Sequence, residues 1–203
     1  MKNPNAGAVS DVLPAPIGCV IMASGVGRRF GGNKLMADFG GEPMIARILA
    51  ATDGLFARRV VVTRHQDVAA LCQSMGALCV LHDLPLRNDT VRLGVEQMEG
   101  MHACMFCPGD QPLLTRQTIA SLIHCAAKEP EKIWRAAYGT TSGLPAVFPQ
   151  WAFPLLACLP EGKGGGYIIR QHEAHVRTMQ VRCALELRDV DVPEDLAELS
   201  TQI

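Results

Sequence analysis

The stretch Ile17-Gly-Cys-Val-Ile-Met22-Ala-Ser-Gly25-Val-Gly27-Arg-Arg-Phe-Gly31-Gly-Asn-Lys34-Leu35 decides how this chain is read. Its apolar half, Ile17 to Met22, has the length and composition of a buried strand. Its second half carries Gly25, Gly27, Gly31 and Gly32, which make a loop whose backbone comes close to a ligand. Arg28, Arg29 and Lys34 load that loop with positive charge, and no acidic residue follows until Asp38. Freed backbone N–H groups beside cations form a cradle for phosphate oxygens, so the stretch points to a nucleotide.

Two familiar phosphate-binding patterns do not fit the spacing. A P-loop needs Gly-Lys-Ser/Thr after four intervening residues, whereas here Asn33 follows Gly32, Lys34 comes one place late, and Leu35 stands where a hydroxyl is needed. A dinucleotide fingerprint needs glycine where Phe30 stands, with Gly31 one residue beyond.

Beyond the loop, strand and helix patterns alternate. Val60 to Thr63, Ala77 to Leu81, Ala103 to Cys107, Ile133 to Ala137, Ala146 to Phe148 and Val176 to Val181 read as strands. Ile45 to Ala51, Asp67 to Met75, Val91 to Met98, Ile119 to Lys128, Trp151 to Cys158 and Tyr167 to Glu173 read as helices. This alternation predicts an α/β fold with a mainly parallel sheet and helices on both faces. Ligands of such sheets bind at the carboxyl ends of the strands, where both the glycine loop and Gly109-Asp110 fall.

The chain has 203 residues, 48% of them hydrophobic, and a formal net charge of −1. That length buries a sizeable core without staples, and the near-neutral charge gives no overall attraction to nucleic acid or to an anionic membrane. No apolar run reaches the ~20 residues that span a bilayer, and Met1-Lys-Asn-Pro-Asn-Ala6 lacks the apolar segment of a signal peptide. A soluble, cytoplasmic protein is the expectation. Residues 1–14, polar and proline-containing, read as a flexible N-terminal arm ahead of a single domain over 15–203.

The eight cysteines are scattered, mostly inside apolar runs, and read as small buried hydrophobes. Cys104 and Cys107 have a metal-like spacing, but in a strand residues three apart point to opposite faces and share no metal. His172 and His175 could share a helix face, but no Cys or carboxylate motif accompanies them, and a solvated helix end accounts for them.

Three further motifs carry candidate chemistry. In Pro108-Gly-Asp-Gln-Pro112, a carboxylate at a strand end, Asp110, suits a hard cation that takes one or two carboxylates plus phosphates; a β-turn with Asp accepting its own backbone N–H groups explains it equally. Arg87-Asn88-Asp89-Thr90 reads as a helix start with Asp or Thr capping. Gly162-Lys163-Gly164-Gly165-Gly166 is a second cationic glycine turn before a helix, suited to a phosphate or simply to a mobile loop.

Taken together these motifs resemble the MobA-like nucleotidyltransferases. The signature of that family is matched by Met22-Ala23-Ser24-Gly25, Arg29-Phe30-Gly31 and Asn33-Lys34-Leu35. Gly40-Gly-Glu-Pro43, Arg87 to Gly94, Pro108 to Pro112, Gly143-Leu-Pro-Ala-Val-Phe148, Glu161 to Gly166 and Asp189-Val-Asp-Val-Pro-Glu-Asp-Leu196 follow in the order shown by its molybdenum cofactor cytidylyltransferase branch. The resemblance covers nearly the whole chain. It implies a three-layer α/β/α fold with a Rossmann-like sheet of the nucleotide-diphospho-sugar transferase type.

The resemblance also implies roles. Lys34, Arg29 and Asp110 would be catalytic, with Asp110 and Asp191 holding Mg2+. Ala23, Ser24, Gly25, Gly27, Arg28, Gly31, Arg87, Asn88 and Thr90 would bind the nucleotide. Lys163, Gly164 and Gly165 would bind the acceptor. The helix start at Arg87 lies against a pyrimidine in relatives, which favours CTP. The acceptor would be molybdopterin bearing molybdenum, and the product, molybdopterin cytosine dinucleotide, would serve an apo-hydroxylase partner. Two residues depart from the pattern: Leu144 stands where several relatives are polar, and Val192 replaces a capping Thr. A guanylyltransferase or sugar-phosphate nucleotidyltransferase, an NADP oxidoreductase using Arg64, and a non-enzymatic cofactor carrier remain open as alternatives.

Overall fold

β1 (Ile17–Ala23) is buried along most of its length because it pairs in parallel on both sides, with β2 (Arg58–Thr63) and β4 (Ala103–Pro108). A strand enclosed on both faces needs a continuous apolar run rather than alternation, and this is the pattern that Ile17 to Met22 shows. The computed structural model describes residues 16–202, and the arm expected over residues 1–14 lies outside them.

β3 (Leu78–Leu81) extends the sheet beyond β2, and β5 (Ile133–Tyr138), β6 (Thr141–Pro149) and β7 (Val176–Gln180) extend it beyond β4. The strand order is β3-β2-β1-β4-β6-β5-β7. Among the described strands only β6 runs against its neighbours, because the turn from Tyr138 to Thr141 folds it back as a hairpin between β4 and β5. The other pairings are parallel.

Among the described residues, seven α-helices cover the sheet. α1 (Met44–Thr52), α2 (Gln66–Ser74), α4 (Arg116–Lys128) and α7 (Pro193–Ser200) pack on one face, around Ile21, Ile45, Leu49, Met105, Leu122 and Leu199. α3 (Arg87–Glu96), α5 (Phe153–Ala157) and α6 (Gly165–Gln171) cover the other, around Val20, Val91, Phe106, Phe148, Leu156 and Ile169. The three-layer α/β/α arrangement with a mainly parallel sheet is therefore the one observed. Cys104 and Cys107 go to opposite faces, as strand periodicity requires. His172 and His175 pack edge-on against the Trp151 ring, with centroids 5.2 and 5.6 Å away.

Two features beyond the predicted elements position the site. α7 does not appear among the helices read from periodicity. Its start lacks a capping hydroxyl at Val192, but the Asp195 carboxylate accepts from the N–H groups of Asp191 (2.9 Å) and Val192 (3.1 Å), so the third helical residue does the capping. Upstream, the buried Glu186 carboxylate accepts from the Thr115 hydroxyl (2.7 Å), the Thr118 hydroxyl and the Thr115 N–H at the start of α4. A carboxylate there is matched to the positive end of the helix. Glu186 thus ties the segment 186–195 to the start of α4, and Val190 N, donating to Asp110 O, ties it to the residues that follow β4. Among the described residues, no helix is long and apolar enough to cross a membrane.

Candidate active site

The glycine loop leaves β1 at the carboxyl edge of the sheet and is braced at its root by β2. The Thr63 hydroxyl donates to Ala23 O (2.9 Å), and the Ser24 hydroxyl lies 3.1 Å from Val62 O and 2.9 Å from His82 Nε2. His65 Nε2 sits 2.8 Å from Gly25 O. Burial, with the charge of Arg64 added, pulls the His82 pKa below its ordinary value, so its ring is neutral at pH 7. At Gly27, φ is +57° and the carbonyl accepts from the N–H groups of both Phe30 (2.9 Å) and Gly31 (3.1 Å). That tight turn points the loop back toward the sheet.

Lys34 opens a short 3-10 turn, Lys34–Met36, that is fixed from both ends. Leu35 is buried in the core, and the Asn33 side chain accepts from Leu35 N while donating to the Asp67 carboxylate at 2.9 Å. The Lys34 ammonium is directed at the end of β4. It donates to Asp110 Oδ2 (2.6 Å), Val190 O (2.6 Å) and Asp191 Oδ1 (3.2 Å), which accounts for all three of its N–H bonds. Burial by itself would lower its pKa, but Asp110 and then Asp191 outweigh that and hold it above the ordinary lysine value.

Asp110 is placed by backbone. Gly109 N donates to Met22 O (2.9 Å), and Val190 N donates to Asp110 O (2.9 Å), which stitches β1, β4 and the 186–195 segment together at one point. A Cβ on Gly109 would lie 2.9 Å from Ile45 Cδ1 and 3.1 Å from Met22 O, so glycine leaves room for this close approach. Arg29 closes the cluster from outside, with Nη2 2.7 Å from Asp191 Oδ2. Lys34 Nζ lies between the Asp110 and Asp191 carboxylates and bonds both. Two carboxylates converging on one point fit a hard divalent ion that takes its remaining ligands from phosphates and water.

The cluster lies in the wall of a cleft of ≈ 980 Å³. Ser24, Gly25, Arg28, Arg87, Thr90, Asp110, Asp191 and Gly165 border it. Ala23 lies buried beneath it, and Arg29 reaches it through Asp191. Asn88 faces elsewhere: its Oδ1 accepts from Gly162 N (2.9 Å), tying α3 to the second glycine turn. Lys163 is exposed, and Gly164 is the N-cap of α6; neither borders the cleft.

Four further residues border the cleft: Arg64, Gln111, Arg135 and Asp189. Gln111 is buried, and its Nε2 donates to Leu187 O (3.1 Å) and Asp189 Oδ1 (2.9 Å), holding Asp189 beside Asp110. Desolvation and the charge of Asp110 raise the Asp189 pKa, with the Gln111 bond opposing them. Gln111 and Asp189 sit inside quoted motifs and were within reach of the sequence. Arg135 announces itself only as a charge inside an apolar strand.

The MobA-like NTP transferase domain family matches residues 19–176, well over half of the chain. Among characterised proteins, the chain is 26% identical over 181 residues to the bifunctional enzyme IspD/IspF of Paracoccus denitrificans, covering 80% of this chain and 46% of that protein. It thus spans about half the length of that relative. Among solved structures, it resembles Rv0371c from Mycobacterium tuberculosis H37Rv (TM-score 0.81, 21% identity, 93% of this chain and 100% of that one). The same protein solved in complex with manganese gives a TM-score of 0.75, with 21% identity and coverage of 93% and 100%. CMP:2-keto-3-deoxy-manno-octonic acid synthetase complexed with CTP gives 0.73, at 14% identity over 93% of this chain and 97% of that one. These structural likenesses establish the fold. The family match runs from β1 to the start of β7 and takes in Lys34, Asp110 and the sheet that brings them together, and on that ground the chain belongs to the MobA-like NTP transferase family.

Proposed function

We propose that this chain is a Mg2+-dependent cytidylyltransferase. It moves CMP from CTP to the terminal phosphate of molybdenum-bearing molybdopterin, giving molybdopterin cytosine dinucleotide and pyrophosphate. The observation that carries the reading is the meeting of Lys34 with Asp110 and Asp191 in a cleft that the cationic glycine loop also borders. The CTP complex of the structurally similar synthetase and the manganese complex of Rv0371c support the choice of nucleotide and of a divalent cation.

The acceptor phosphomonoester is mostly ionised at neutral pH, since its second pKa is ~6, so no strong general base is needed. The obstacle is repulsion between anions. Mg2+, held by Asp110 and Asp191, would neutralise phosphate charge. The N–H groups and Arg28 of the glycine loop receive the departing pyrophosphate. Lys34 comes to the α-phosphate by exchanging one of its three protein acceptors for a phosphate oxygen, which places its charge where negative charge develops. Thr90 and the start of α3 border the base, where a short hydroxyl suits a pyrimidine edge.

Pyrophosphate release tests the reading. With CTP, Mg2+ and molybdenum-loaded molybdopterin, release is expected, and it is expected to stop when the acceptor or the metal is omitted. GTP is expected to support little. Release with GTP and not CTP would make the chain a guanylyltransferase, and acceptor binding without release would make it a carrier.

Gly27→Ala probes the loop independently. A Cβ at this left-handed position costs about 1–2 kcal/mol and collides with Gly32 O. The expected result is CTP affinity reduced about tenfold, measured by calorimetry, with the far-UV spectrum unchanged. Unaltered affinity would remove the loop from the nucleotide site.

A further inference from the structure

Arg135 occupies a position that the sheet reserves for apolar side chains. Directly paired residues share a face, and the row Val60, Val20, Phe106, Ala146, Arg135 runs across five strands. The first four are at most 3% exposed. Along β5, Ile133, two residues earlier on the same side, is also buried. A guanidinium therefore stands at the end of a core row, in the cleft wall.

Its donors are nearly unused. Nη2 donates to Ser142 O at 3.1 Å, Nε is buried without a partner, and among the described residues no carboxylate lies within ion-pair distance. Burial also pulls its pKa below the ordinary guanidinium value. An unpaired, half-buried cation is costly to keep, and the three cleft carboxylates, Asp110, Asp189 and Asp191, are engaged elsewhere. An incoming anion is what would satisfy it.

Position decides which anion. The glycine loop follows β1, whereas Arg135 lies on β5, two strands beyond β4 and so roughly 10 Å to the far side of the strand that delivers Asp110. We propose that Arg135 is the residue that binds the acceptor's terminal phosphate, in place of the Lys163-Gly164-Gly165 turn, and that it restricts acceptors to phosphomonoesters. This rests on reading the cleft as a nucleotidyl-transfer site. A guanidinium matches phosphate with two parallel N–H bonds, a geometry that lysine does not reproduce.

Arginine-selective 1H–15N spectra of the full chain give a site-resolved test, with Arg135→Lys assigning the Arg135 Nε–H signal. Methyl phosphate is the probe, and acetate is the parallel arm. The expected result is a saturable shift of the Arg135 signal with methyl phosphate at a midpoint at least tenfold below that for acetate. In turnover, Arg135→Met is expected to raise the acceptor KM at least tenfold, with the CTP KM within twofold, and Arg135→Lys to fall between. A Lys163→Ala variant is expected to keep both within twofold. An Arg135 signal unmoved by methyl phosphate while other arginine signals shift would overturn the proposal, as would Lys163→Ala carrying the acceptor effect. The resonance reports phosphate at Arg135 whether or not CTP is the donor, so its outcome is separable from that of the proposed reaction.

Discussion

Lys34→Ala is expected to lose about a thousandfold in pyrophosphate release and to melt roughly 5–10 °C below the parent chain, yet to keep its fold. Lys34 is 7% exposed and donates to three protein oxygens, two of them on carboxylates. Breaking a fully buried pair costs ~3–5 kcal/mol, but the Asp110 and Asp191 side chains are 25% and 43% exposed, and water screening brings the figure to about 2–3 kcal/mol. The core around Leu35 is untouched, so the loss is local.

The pH dependence has a definite sign. The folded-state pKa of Lys34 is raised above 10.5, so its contribution is constant through neutral pH and is lost only as pH climbs past that value. In the alanine variant, Asp110 and Asp191 face each other without the ammonium between them. Mn2+ or Mg2+ is expected to raise the melting temperature of the variant more than that of the parent, since the metal replaces the missing charge. Full turnover by Lys34→Ala rejects the assigned role, and the absence of a metal shift in both proteins rejects Asp110 and Asp191 as a cation site.

Asp110→Asn isolates the carboxylate from the packing. Asparagine keeps an oxygen for Lys34 Nζ and leaves the Val190 N to Asp110 O bond intact, so the melting temperature is expected to stay within a few degrees. Turnover is expected to fall about 10²- to 10⁴-fold, equivalent to ~3–5 kcal/mol of lost charge stabilisation, with a higher Mg2+ requirement. Asp191→Asn is expected to do less, because its carboxylate is shared with Arg29 on the exposed side. Turnover of Asp110→Asn within tenfold of the parent would place the metal elsewhere.

The readable parts of the chain are those whose cause is local. Ile17 to Met22 has the apolar run of a buried strand and forms one, Gly27 turns the chain with positive φ, and each strand read from the sequence overlaps an observed one, although β6 begins at Thr141, ahead of the apolar Ala146 to Phe148. α7 escaped the periodic reading because its start is capped by Asp195 from inside the helix rather than by a hydroxyl before it. The motif residues Asn88 and Lys163 have the right types for ligand contact, but one bonds Gly162 and the other is exposed outside the cleft. Residue type alone does not fix what a side chain faces.

From the order of residues came the strand and helix alternation, the glycine loop with its charges, and Asp110 at a strand end. Only the folded chain brought Lys34 to Asp110 and Asp191, residues 76 and 157 positions away, and set Arg135 at the end of an apolar row. Backbone conformation follows from near neighbours, through sterics, burial period and capping. Which side chains meet is fixed by sheet order, here by β6 folding back between β4 and β5 and by the 186–195 segment returning to the edge of β4, and that order is settled by the burial of the whole core.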